Sequence, residues 1–174
     1  MSSVIVSPYS EEWPNIFRQV RQELLSVFVP ITVSIEHIGS TSVPGLAAKS
    51  VIDVLLGAGS LPNVESKIEP LGRLGYNYVS KYEQELSMRR YFVKSPATSL
   101  RIHLHAVELG SRFWQEHLAF RDLLRSDTEL RSNYQSLKLQ LAHEHSHDKS
   151  AYSVAKGPFI QAALAATTRS GNAA

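Results

Sequence analysis

The sequence contains no cysteine. Disulfide bonds, thiolate metal sites and thiol nucleophiles are therefore excluded. An excess of either charge is also lacking: 18 Lys and Arg against 16 Asp and Glu leave a formal net charge of +2. That balance is too small to argue for nucleic acid, and no basic helix or run of aromatics interleaved with Lys and Arg carries such a signature. No apolar run approaches the length of a membrane span. The N-terminal stretch MSSVIVSPYSEEW lacks a basic region followed by an apolar one. It does not read as a signal peptide, and a cytoplasmic location is expected. Repeats and low-complexity linkers are missing too. What is present is an ordinary core-forming composition, 43% hydrophobic and 20% charged over 174 residues. That suits one domain, or a compact domain with a helical extension.

Hydrophobic spacing orders the elements. Apolar residues recur at Trp13, Ile16, Phe17, Val20, Leu24, Leu25 and Phe28, which predicts a helix with Ser10 as its N-cap and Pro30 after its end. ITVSIEHI alternates and is rich in β-branched residues, and KSVIDVLLG is a nearly continuous apolar run; both read as strands. LPNVESKIEPLGRLG reads as a helix, Leu61 to Gly75. YNYVS, SMRRYFVK and SLRIHLHAVE read as three more strands. In the last, Arg101, His103, His105 and Val107 share one face. From Arg112 onward the pattern is helical: 112–127, 128–148 and 150–168, the third kinked or broken at Gly157-Pro158. The tail RSGNAA is expected to fray. The order predicts an α+β fold with a mixed or antiparallel sheet, a core over 1–110, and C-terminal helices over 111–170 packed on it as a single compact unit.

One stretch carries chemistry: EHIGSTSVPGLAAKSVID, Glu36 to Asp53. Gly39 lets the backbone approach a ligand closely. Ser40, Thr41 and Ser42 offer hydroxyls, and backbone N–H groups in such a turn converge on an anion. Asp53 on the following strand could hold Mg2+, which is commonly bound by a few carboxylates together with substrate phosphates. Together these features suit phosphoryl transfer. The alternative is an ordinary hydroxyl-rich turn, with Asp53 capping a backbone N–H.

The stretch resembles the nucleotidyltransferase superfamily pattern, an apolar residue, Gly and Gly or Ser followed about a dozen residues later by an acidic motif. More closely, EHIGSTSVPGLAAKSVIDVLL, RRYFVK, RIHLHAVE, WQEHLAFRDLLR, YQSLKLQLA and DKSAYSVAKGPFI resemble the GrpB family, in the family's order and over nearly the whole chain. That resemblance implies a nucleotidyltransferase-like fold with flanking helices. Relatives of the family are also fused to dephospho-coenzyme A kinase in some bacteria. The sequence departs from the superfamily pattern at Leu55, which stands where a second acidic residue is usual. The strand expected to supply a third carboxylate carries HLH instead. His103, His105 and Asp53 are therefore expected to form one catalytic and metal-binding cluster. Two imidazoles and a carboxylate favour Zn2+, Mn2+ or Fe2+ over Mg2+. The alternatives are direct contact of the histidines with a phosphate, or polar residues on a half-exposed strand face.

Further candidates surround this cluster. Of Glu36 and His37, one faces the site by alternation, and His37 is the choice. Lys49 offers a point charge for a phosphate or is a solvated strand end. Of the alternating Arg89 and Arg90, the cleft residue is expected to be Arg90, joined by Arg101. Arg121, Tyr152 and Lys156 match the GrpB pattern and form either a second cleft wall or a structural network. His143 and His147 stand at helical spacing, but a solvated helix end is the expected reading. Three functions follow. One is a metal-dependent nucleotidyl- or phosphoryl-transferase acting with an NTP on a small molecule. Another is a non-catalytic nucleotide- or phosphate-binding module. The last is a His-His-Asp phosphoesterase. The expected cofactor is a divalent metal, Mg2+ or Mn2+, with Zn2+ as the alternative. The expected partners are a nucleotide or phosphorylated small molecule and, as an assembly, a homodimer.

Overall fold

A computed structural model describes residues 4–171, with side chains through 166. A five-stranded mixed sheet forms the centre, in the order β1-β2-β5-β4-β3. Its strands are β1 (Val33–Ile38), β2 (Val51–Ala58), β3 (Asn77–Tyr78), β4 (Arg89–Lys94) and β5 (Arg101–Glu108). Only β2 and β5 run parallel; the other neighbours are antiparallel. This is the α+β layout that the order of elements predicts. No helix among the described residues is long and apolar enough to cross a membrane.

The sheet has two differently covered faces because its strands alternate. Ile52, Val54, Leu56, Phe92, Leu104 and Ala106 point to one face and are fully buried or nearly so. Helix α1 (Trp13–Phe28) covers that face with Trp13, Val20, Leu24 and Phe28. It begins at Trp13, with Glu12 as its uncapped N-cap; Ser10 lies two residues farther out and accepts a hydrogen bond from the Glu12 amide at 3.3 Å. The helix expected over 61–75 is two short ones, α2 (Leu61–Glu65) and α3 (Ile68–Arg73). Pro70 explains the break: it has no N–H to give the Ser66 carbonyl, and its ring would clash there.

The opposite face carries Ile38, Asp53, Leu55, His103, His105 and Val107. Helix α4 (Arg112–Ser126) closes one end of it, packing Phe113, Trp114 and Leu118 against Ile38, Leu55 and Val107. Gly57 allows this approach, since a Cβ there would fall 2.8 Å from the Trp114 ring. Three more helices follow: α5 (Thr128–Glu144), α6 (Lys149–Ala155) and α7 (Gly157–Gly171). Asp148 caps α6 by accepting from the Ser150 and Ala151 amides. Helix α5 therefore stops short of His147, and the helical spacing of His143 and His147 does not exist in the fold. The chain breaks at Lys156, directly before Gly157-Pro158, which open α7, so the break that the sequence predicts falls one residue earlier. Positions 169–171 of the expected frayed tail continue α7, while 172–174, like 1–3, lie outside the described residues.

Candidate functional site

A cavity of about 700 Å³ opens between the second face of the sheet and the C-terminal helices. The Gly39–Ser42 turn forms its floor. After β1 the backbone reaches φ 71° at Gly39 and then closes a 3-10 turn over Ser40–Ser42. A side chain at Gly39 would be strained by that φ, and its Cβ would fall 2.5 Å from Asp53 Oδ2. The glycine thus brings turn and carboxylate into direct contact. The amides of Ser40 and Thr41 open the turn and so have no acceptor within it.

The three consecutive hydroxyls divide their work. Ser42 Oγ donates to the Gly39 carbonyl at 2.6 Å. Thr41, 1% exposed, donates to the Val51 carbonyl at 3.0 Å. Since that hydroxyl is the donor there, it accepts from His37 Nε2, also at 3.0 Å. His37 is buried against the Phe17 ring, 4.7 Å away, and burial pushes its pKa down to about 4. It is a neutral prop under the turn on the α1 face, which corrects its expected place in the site. Alternation puts Glu36 on the cleft face instead. Thr41 lines the cavity, but its hydroxyl is occupied; Ser40 lines it too, with its side chain hydrogen-bonded to the buried Tyr134 phenol.

The parallel register sets Asp53 beside His103 and Leu55 beside His105. Asp53 Oδ1 lies 3.3 Å from His103 Nδ1 and 3.8 Å from His105 Nε2. Burial alone would raise the carboxyl pKa. Hydrogen bonding and charge from His103 and then His105 outweigh it and hold Asp53 well below the usual carboxylate range. Burial pushes His105 down. One ligand atom from each of the three lies within 4.8 Å of the others. Tetrahedral Zn2+ with bonds of about 2.0–2.1 Å separates its ligands by roughly 3.3 Å. The donor set and spacing therefore fit a divalent cation. Leu55, on the same face, is fully buried with Ile38 and Val107, so a core side chain fills the place of a second carboxylate.

Lysines form the far wall. Lys49 and Lys156 each place Nζ 4.6 Å from the centre of the Tyr152 ring. Lys149 lines the cavity as well. Burial and then Lys49 push Lys156 down to about 8, against the pull of Asp53. Lys138, 1% exposed, is pushed down to about 7 by burial and then by Lys156. It donates to the Ala47 carbonyl, and Gln135 accepts from the Ala47 amide at 2.8 Å, so α5 clamps the loop after the turn. No ion pair among the described residues involves Lys49, Lys138, Lys149 or Lys156. Lys138 is the residue sequence reasoning missed, although it falls on the stripe of Tyr134 and Leu141.

The arginines sort differently from expectation. Arg101 is exposed at the cavity rim. Arg90 is on the other face, where it pairs with Glu65 at 2.7 Å. The register explains this: Arg90 stands opposite Ala106, while Arg89 and Tyr91 stand opposite Val107 and His105 on the cleft face. Arg89 is thus the arginine beside the cluster, its Nη1 3.2 Å from His105 Nδ1. Arg121 touches the cavity, but its guanidinium is already paired, with Glu36 at 2.6 Å and Asp122 at 2.8 Å. It braces α4 to β1. Arg125, not singled out by the sequence, donates twice to the Ser42 carbonyl, at 3.0 and 2.8 Å.

Comparison with known proteins matches the family model described as GrpB protein over residues 3–166. The chain is 36% identical to UPF0157 protein YqkA of Bacillus subtilis, over 89% of this chain and 44% of that protein, so it spans less than half of that relative's length. It is 32% identical to the glutamate-rich protein GrpB of Alkalihalophilus pseudofirmus, over 92% of this chain and 94% of that one. The crystal structure of GrpB from Enterococcus faecalis superposes with a TM-score of 0.82 at 35% identity, covering 91% of this chain and 94% of that one. A cytoplasmic RNA terminal U-transferase shares the fold at a TM-score of 0.54 and 14% identity, over 76% of this chain and 41% of its own.

Proposed function

The chain belongs to the GrpB family, and we propose that its cleft binds a nucleoside triphosphate and transfers a nucleotidyl or phosphoryl group to a small molecule bearing a hydroxyl or amine. The observation that carries this reading is the sign of the charge in the cleft. Lys49, Lys138, Lys149 and Lys156 line it, and the carboxylates that line it are Asp53 and Glu116, the latter already paired with Arg112. Cations gathered without carboxylate partners repel one another, and a polyanion relieves that repulsion. Chemistry of this kind depends on positioning and charge neutralisation rather than on a covalent nucleophile.

The roles follow from placement. The Ser40 hydroxyl and the two opening amides of the turn donate to phosphate oxygens. Lys49 and Lys156 neutralise the phosphate tail. Asp53, with His103, is the place for a divalent cation, which would supply charge neutralisation at the reacting phosphate. With Asp53 holding the cation, His103 takes the proton that the acceptor loses. Attack at the α-phosphorus forms one P–O or P–N bond, breaks the α–β bridging bond and releases pyrophosphate. Attack at the γ-phosphorus releases the nucleoside diphosphate instead. A second reading is favoured by the buried Leu55. With one carboxylate where two are usual, the cleft holds the nucleotide without turning it over.

Thermal unfolding with each of the four common NTPs and coenzyme A, in Mg2+, Mn2+ or Zn2+, tests both readings in the parent and in Asp53→Ala. A ligand at about 100 times its Kd stabilises the folded state by about 2.7 kcal/mol. Metal-dependent stabilisation by a nucleotide, lost in the variant, is the expected result. Stabilisation by nucleotide with no product detectable on incubation with candidate acceptors supports the second reading. The absence of any nucleotide response in either protein overturns both.

A further inference from the structure

The contacts of Arg89 bear on which atoms around Asp53 are open to a metal. A guanidinium carries donors and no acceptor, so the 3.2 Å contact from Arg89 Nη1 makes His105 Nδ1 the acceptor. A neutral imidazole has one bare nitrogen. The proton of His105 therefore sits on Nε2, the nitrogen that faces Asp53 Oδ1 at 3.8 Å. In that form His105 offers Asp53 an N–H and offers a metal nothing. The Tyr91 ring lies 5.0 Å from the His105 ring and Phe113 lies 6.3 Å away, which hold the imidazole plane. Arg89 is itself fixed over Tyr91 at 4.8 Å and Tyr82 at 6.0 Å. No carboxylate pairs with it among the described residues, and its Nε is buried without a hydrogen bond. Such a group sits at a cost in desolvation, and the contact with His105 is the polar interaction it keeps.

We propose that Arg89 is a tautomer lock that holds His105 as a donor toward Asp53 and keeps it out of the coordination sphere of any metal. The inference rests on reading Asp53 as the metal-facing carboxylate. With His105 withheld, Asp53 and His103 remain. That is one protein ligand short of the three that catalytic Zn2+ sites use. It suits a cation that keeps most of its ligands as water and substrate phosphate, as Mg2+ does. Arg89 is thus a positioning residue that decides metal choice: the spacing of Asp53, His103 and His105 fits a resident transition metal, and the hydrogen bond from Arg89 prevents it.

Nitrogen-15 NMR of the metal-free protein reads the lock directly. The expected spectrum shows His105 with a bare Nδ1 and a protonated Nε2, and a protonated Nδ1 overturns the proposal. Calorimetric titration with Zn2+ reads the consequence. Removal of an outer-shell partner shifts metal affinity by roughly 10- to 100-fold. Arg89→Met is expected to bind Zn2+ tighter by about that factor, with the gain lost when His105→Ala is added. Equal Zn2+ affinity in parent and Arg89→Met, or Zn2+ on His105 in the parent, overturns the proposal. Should Arg89→Met fail to fold, the spectrum of the parent still decides. Neither measurement uses a nucleotide, so failure of the lock and failure of nucleotide binding are separate results.

Discussion

On the face of the sheet covered by α1, Lys94 Nζ lies 2.7 Å from Glu23 Oε1, and Arg90 lies 2.7 Å from Glu65. On the cleft side, Lys49, Lys138, Lys149 and Lys156 have no carboxylate within ion-pair range among the described residues, and Arg89 meets an imidazole instead. The α1 side of the sheet therefore holds paired cations, whereas across the cleft the lysines of the loop and the C-terminal helices stand unpaired among the described residues and Arg121 is the cation with carboxylate partners. The pairing on the first side is what folding alone selects, since a half-buried charge is costly unless paired. The second side keeps Lys138 and Lys156 at depressed pKa values. Burial is the larger cause in both, and a neighbouring lysine adds to it.

The contrast can be broken most strongly at Lys49 and Lys156. A hydrogen bond to a charged group contributes roughly 1.5–3 kcal/mol. Lys49→Met and Lys156→Met are each expected to weaken triphosphate binding by about tenfold or more while leaving the unliganded protein at least as stable as the parent. Calorimetric titration and urea unfolding read the two halves of that statement. A middle-sized effect concerns pH. Lys138 is held at about 7 in the fold, against about 10.4 for an unfolded lysine. Between those values the unfolded chain binds the extra proton, so stability rises with pH across that window, by at most about 1.4 kcal/mol per pH unit for this group. Unfolding free energies from pH 7 to 10 should show that slope, and Lys138→Met should flatten it. The smallest effect belongs to the paired side. Arg90→Ala removes ion pairs with two partly exposed partners, Glu65 and Glu83, and hydrogen bonds to the Ser87 and Arg89 carbonyls, expected to cost on the order of 1 kcal/mol. It should leave ligand affinity unchanged; a loss of affinity there would erase the distinction between the two faces.

The sequence made the Asp53, His103 and His105 grouping legible because a strand alternates strictly and a parallel pair keeps its partners in register. HLH fixes its own phase, with Leu104 between the two histidines as the core residue. Arg89 and Arg90 offer no such marker. Two adjacent arginines look alike, and only the pairing of β4 with β5 decides which one shares the face of His103 and His105. The three hydroxyls of the turn were legible as a group but not in their separate directions. A 3-10 turn folds Thr41 and Ser42 inward toward backbone carbonyls, and that depends on the loop path. Lys138 could have been read from its position on an apolar stripe, whereas its proximity to Lys156 comes from the packing of α5 against the later helices.

Gly39 and Asp53 occupy each other's space: the atom missing from one is the room taken by Oδ2 of the other. Any mutational path through this site is therefore constrained in its order. A side chain cannot arrive at position 39 while the carboxylate stands, but loss of the carboxylate frees the glycine from that clash and leaves only its backbone angle to maintain it. A descendant that gave up the carboxylate would thus be expected to drift at position 39 next, so the two losses would be inherited in that sequence rather than independently.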